Sequence, residues 1–165
     1  MKPEIAFKHK PDNLILALDI PKEDRQLEIT SYDYTVDYVI SLIEEGQIFL
    51  ETLPNDSLWD IKKSSVLIES LLINFPIPPF YFSEQENGKW LAIDGTQRLS
   101  ALFNFYQNAY QLKGLTILSE FEDKRFNELP PQAKRLINYS IIRIILIKHN
   151  SHPAILYNVM KRLKA

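Results

Sequence analysis

Apolar residues recur along the chain at helical spacing, broken by short strand-like runs. Val36, Val39, Ile40 and Ile43 fall at i, i+3, i+4, i+7 and predict a helix over 34–45. Thr35 stands where a cap belongs, and Gly46 where a left-handed residue would end the helix. A short strand over 47–50 and a loop at 54–57 follow. Ile61, Ile68, Leu71, Leu72 and Phe75 form one stripe of a second helix over 60–74, stopped by Pro76. Pro76, Pro78 and Pro79 remove backbone donors, so the entry to the next strand should be a sheet edge or a constrained turn. Strands over 80–83 and 90–93 flank Asn87-Gly88, a tight-turn signal, and predict a hairpin. Leu99, Leu102, Phe103 and Tyr106 mark a helix after Gly95. A short helix over 130–138, a strand over 141–147 interrupted by Arg143, and a helix begun by Ser151 and Pro153 complete the pattern. Leu14–Leu18 reads as one more strand, and 112–118 fits neither class.

Composition narrows the function classes. The 165 residues suit one compact domain, with 1–27 as an arm or leading strand and 28–165 as the domain proper. Nineteen Lys and Arg against 21 Asp and Glu give a net charge of -2, which excludes a generally basic nucleic-acid coat. The absence of cysteine removes disulfides, thiolate metal sites and cysteine nucleophiles. No apolar run is long enough to span a membrane, and the polar start Met1-Lys2-Pro3-Glu4 is no signal peptide, so a cytoplasmic protein without a membrane partner is expected. Neither a phosphate-binding Gly-x-x-x-x-Gly-Lys loop nor a Gly-x-Ser-x-Gly elbow occurs.

The chemistry concentrates in Ile93-Asp94-Gly95-Thr96-Gln97-Arg98. A strand ends, glycine turns the chain, and a helix begins whose first amides lack intrahelical acceptors. Such a terminus attracts anions. Thr96 and Gln97 add donors, and the Arg98 fork matches phosphate oxygens. Asp94 would repel a phosphate unless a divalent metal intervened; its competing role is to cap the helix. One helix end and one arginine cannot balance a triphosphate, so further cations are expected, with Lys62 and Arg162 as candidates beside Lys63 and Arg143. His149 and His152 sit at a loop-to-helix junction and read as solvent-facing.

Residues 93–102 resemble the Asp-Gly-Gln-Gln-Arg-Leu box of the DUF262 family, the N-terminal part of GmrSD-type, modification-dependent restriction systems. Residues 67–79, a helix ending in Pro-Ile-Pro-Pro, resemble its second signature; 34–50 resemble its opening helix and strand, and 156–163 a later segment. The resemblance implies an α+β domain like those of the ParB and sulfiredoxin superfamily, a small mixed sheet with flanking helices. It implies a nucleotide-binding, NTP-hydrolysing regulatory domain, with NTP and Mg2+ as cofactors and DNA or a nuclease subunit as partners. Carried to this chain, Asp94, Gln97 and Arg98 would be catalytic, Asp94 would hold the metal, and Gly95, Thr96, Gln97, Arg98, Lys62 and Arg162 would bind phosphate.

Three departures weigh against hydrolysis. Thr96 replaces a glutamine, Leu53–Asp60 lacks a Phe-Gln-Arg triplet before Trp59, and Lys164 follows Arg162-Leu163 where asparagine is usual. They favour the rival reading of a non-catalytic module that binds DNA or a partner protein. A ParB-like switch closed by nucleotide is a further rival. The C-terminal nuclease part of the full family has no counterpart here, so cutting by this chain alone is not expected.

Overall fold

A computed structural model describes residues 20–50 and 57–165. Among the described residues it is an α+β fold of five strands and five α-helices. The predicted strand at 14–18 lies outside them. In chain order the elements are β1 (Ile29–Thr35), α1 (Val36–Glu44), β2 (Ile48–Phe49), α2 (Ile61–Leu72), β3 (Phe80–Glu84), β4 (Trp90–Asp94), α3 (Thr96–Tyr106), α4 (Pro131–Tyr139), β5 (Ile141–Ile147) and α5 (Pro153–Leu163).

One mixed sheet orders the strands β1-β5-β3-β4-β2. β1 runs antiparallel to β5, β5 parallel to β3, β3 antiparallel to β4, and β4 parallel to β2. β3 is therefore central, which decides between the two fates that the prolines allow. Pro76, Pro78 and Pro79 precede the strand as a constrained turn, and every β3 residue keeps its ladder donors. The Asn87-Gly88 hairpin forms as expected, Gly88 taking φ 78°. β1 is the strand that the hydrophobic pattern hides. Its inward positions are Thr30, Tyr32 and Tyr34, registered against Leu146, Ile144 and Ile142, so no aliphatic alternation announces it.

Strand period explains the core. Ile142, Ile144 and Leu146 are buried on one face of β5, while Ile141 and Arg143 stand outward. Phe80 and Phe82 lie beside Ile144 and Leu146 and are wholly buried. The helices bring Val36, Val39 and Ile40 (α1), Ile68, Leu71 and Leu72 (α2), Leu99, Leu102 and Phe105 (α3), and Ile137 (α4) into the same cluster. α2 touches both α3 and α4, and α5 lies against β4. Arg143 does not interrupt β5. It faces Asp33 in register on the outer face and grips it with two hydrogen bonds, 2.8 Å and 2.6 Å.

The ambiguous stretch 112–118 is a loop held by a buried acid. Glu69 on α2 is 4% exposed. Its carboxylate accepts the amides of Thr116, Ile117 and Leu118 at 3.1, 2.7 and 2.8 Å, and the Thr116 hydroxyl at 3.2 Å. Burial alone would raise its pKa, but these donors outweigh it and leave the carboxyl below its ordinary value. A depressed folded pKa stabilises above the unfolded value, about 4.5, and that stabilisation is lost as pH falls below it. Glu69→Gln should cost about 1.5–3 kcal/mol at neutral pH by urea unfolding. The gap between Glu69→Gln and the wild type should narrow as pH is taken below 4.5; a constant gap would assign the loss to packing instead.

Candidate functional site

β4 ends at Asp94, Gly95 turns the chain, and α3 starts at Thr96. Gly95 has φ 85°, in the left-handed region, and a Cβ there would lie 2.7 Å from Cδ1 of Phe80 and 3.0 Å from Nη2 of Arg98. Both the dihedral and the space demand glycine. What approaches Gly95 so closely is the protein itself: the Phe80 ring and the Arg98 guanidinium.

Arg98 is engaged on every side that matters to the turn. Nη1 donates to the Pro78 carbonyl, and Nη2 donates to the Pro79 carbonyl at 3.1 Å and to Oδ2 of Asp94 at 3.2 Å. Its Cζ lies 4.4 Å from the Phe80 ring centroid, a cation–π contact. The side chain is 12% exposed, that of Asp94 33%. Burial lowers the guanidinium pKa from its usual value, and Asp94 opposes the drop through charge and hydrogen bond. Gln97 is likewise engaged: its Nε2 donates to the Ser57 carbonyl. The two side chains fasten the start of α3 to the segments on either side of α2.

The backbone is disposed differently. The first intrahelical bond is Leu99 N to Gly95 O at 2.8 Å, and Gly95 offers no side-chain cap. The amides of Thr96, Gln97 and Arg98 have no acceptor among the described residues. These residues line a cavity of about 610 Å³ with Asp94, Gly95, the β4 residues Leu91, Ala92 and Ile93, Trp59 ahead of α2, and Met160 and Lys164 of the C-terminal segment.

The expected residues divide. Asp94, Gly95, Thr96, Gln97 and Arg98 come together at this cavity. Lys62 does not line it; its exposed side chain runs past Gly114, where a Cβ would be 3.5 Å from Lys62 Cγ. Arg162 is exposed on α5 and outside the lining, while Met160 and Lys164, one helical turn apart, take the facing positions. Arg143 belongs to Asp33, and Lys63 lies with its ammonium 4.5 Å from the Trp59 ring centroid. His149 contacts Glu84 at 3.1 Å, and His152 caps α5 by accepting the Ala154 amide at 3.2 Å. Among the described residues no three His, Cys, Asp or Glu side chains converge as metal ligands. Lys164 was legible only as an oddity of the family pattern; the i, i+4 spacing from Met160 was the signal that could have placed it.

Energetics limit what the site can do. Turning Arg98 onto a phosphate gains charge-assisted bonds of about 1.5–3 kcal/mol each, but leaves the Pro78 and Pro79 carbonyls unmet at about 1–3 kcal/mol each. The exchange gains little. Three amides without acceptors among the described residues, the helix dipole and Lys164 remain as the positive lining, and Asp94 and Arg98 cancel one another. Among the described lining residues Asp94 is the one carboxylate, and it already faces the Arg98 guanidinium.

No helix among the described residues is long and apolar enough to cross a membrane. No curated protein and no solved structure matches the chain. A family model described as GmrSD restriction endonuclease, N-terminal domain, matches residues 55–161, from the approach to Trp59 into α5. The Gly95 turn, the Arg98 tie and every cavity-lining residue but Lys164 fall inside that span, and the chain belongs to this family of restriction-endonuclease N-terminal domains.

Proposed function

We propose that this domain is the nucleotide-binding, regulatory part of a restriction system, and that it binds rather than hydrolyses. The observation that carries the reading is the set of amides at Thr96, Gln97 and Arg98, without acceptors among the described residues, in three residues that line a cavity with Lys164. Phosphates lie on the amides and near the Lys164 ammonium. Gln97 and Arg98 act through position: they hold the cavity walls and leave the ligand to the backbone. Asp94 is the sole carboxylate among the described lining residues, and its pairing with Arg98 disfavours both a metal-holding and a water-activating role. Any magnesium arrives on the nucleotide's own phosphates. The readout passes to the nuclease portion of the system, with DNA as the eventual substrate of that portion.

Thermal melting with ATP, GTP, CTP and UTP, each with and without magnesium, tests this. At least one nucleotide should raise the Tm, and phosphate release should stay at background. No shift with any of the four overturns the reading, and steady phosphate release restores the hydrolytic one. Lys164→Ala should leave the ligand-free Tm unchanged and weaken nucleotide binding about tenfold. Arg98→Lys should do the reverse, lowering the ligand-free Tm by about 3–10 °C while a nucleotide-induced shift persists. An Arg98→Lys protein with an unchanged ligand-free Tm and no nucleotide shift would make Arg98 a direct phosphate ligand.

A further inference from the structure

The cavity at the start of α3 is lined by both polar and apolar residues: Asp94, Thr96, Gln97, Arg98 and Lys164 among the first, Trp59, Leu91 and Met160 among the second. Among the lining residues Trp59 supplies the only aromatic ring. We infer that Trp59, with Met160 beside the same cavity, is the subsite for the planar base of the nucleotide and sets the preference for nucleotide over bare polyphosphate. The inference rests on the nucleotide reading above and deepens it.

Three observations place Trp59 in that role. It is half-buried, packed in part against the core, and still reaches the cavity, so its ring serves both as wall and as surface. The ring is held from several directions. Gln97 grips the Ser57 carbonyl two residues before it, and Asp60 immediately after it caps α2 by accepting the Lys63 amide at 2.8 Å. The Lys63 ammonium sits 4.5 Å from the ring centroid. A ring fixed in advance loses little conformational freedom when a base stacks on it. Met160 brings a polarizable thioether from α5, a separate element, suited to a flat π surface without demanding one hydrogen-bond pattern.

The chain has two tryptophans, Trp59 and Trp90. Trp90 stacks on Tyr32 at 5.6 Å, away from the cavity lining, so Trp90→Phe keeps a ring there and leaves Trp59 as the sole indole. In that protein, excited at 295 nm, each of the four nucleoside triphosphates is titrated beside inorganic tripolyphosphate, with melting as an independent measure of binding. A nucleotide should bind about tenfold or more tightly than tripolyphosphate and change the Trp59 emission, while tripolyphosphate should leave emission unchanged. Trp59→Leu should erase that advantage without weakening tripolyphosphate, and Trp59→Phe should keep part of it. Equal affinity of the wild type for nucleotide and tripolyphosphate overturns the base subsite and spares the phosphate site; this comparison needs no Trp59 variant to fold. Binding of neither ligand removes the nucleotide reading and the subsite with it.

Discussion

Two chain segments, the Pro78–Phe80 entry to β3 and the Asp94–Gly95 turn beside Arg98 itself, meet at one guanidinium. The Pro76–Pro79 turn cannot donate at its prolines, so its carbonyls need an outside donor where the chain enters the central strand. Arg98 supplies it, and it can do so only because Gly95 carries no side chain and Phe80 offers a ring face. Asp94 balances the charge at 3.2 Å, which makes a largely buried cation tolerable. The end of β4, the start of α3 and the start of β3 are thereby fixed against one another. A glycine, an arginine three residues on and a double proline before the strand are one packing solution, visible in the sequence as two separate signatures.

This solution separates two kinds of work within the same six residues. Side chains of Gln97 and Arg98 turn to the protein and set the walls, while the amides of the same residues have no partners among the described residues. Neither task could be done by the other group. Amides cannot reach across to Ser57 or Pro78, and an arginine already spanning three oxygens has little left to gain from a ligand. The same logic runs through the loop after α3, where Glu69 supplies inside the protein the anion that three consecutive amides require. One nest of amides is filled by the chain, and the other finds no acceptor among the described residues.

Much of this was legible from the residues. Helix stripes, the hairpin and the turn into α3 follow from period and from Asn-Gly and Asp-Gly chemistry, and the α+β class follows from them. Asp94 to Arg98 do gather at one cavity. Three matters were not legible. β1 was hidden because tyrosines and a threonine, rather than aliphatics, fill its inward positions. The loop 112–118 had no period to read, since its order comes from a carboxylate more than forty residues earlier. The direction of the Arg98 side chain was beyond reach, because fork geometry suits a pair of backbone carbonyls as well as it suits phosphate. Lys62 and Arg162 were chosen on charge alone, whereas no residue of α2 lines the cavity and the C-terminal segment turns Met160 and Lys164 to it instead.

The outer pairing of the sheet carries a consequence for how the chain reaches this state. Asp33 and Arg143 stand opposite each other though 110 residues apart, so β1 cannot dock until nearly the whole described chain is available. Until then β5 has an open edge, and its alternating isoleucines present a ready template for a foreign strand. The ion pair then works as a check on alignment. A slip by one residue would turn Asp33 toward the buried side while Arg143 stayed outside, so mispaired registers are penalised at the last step of assembly.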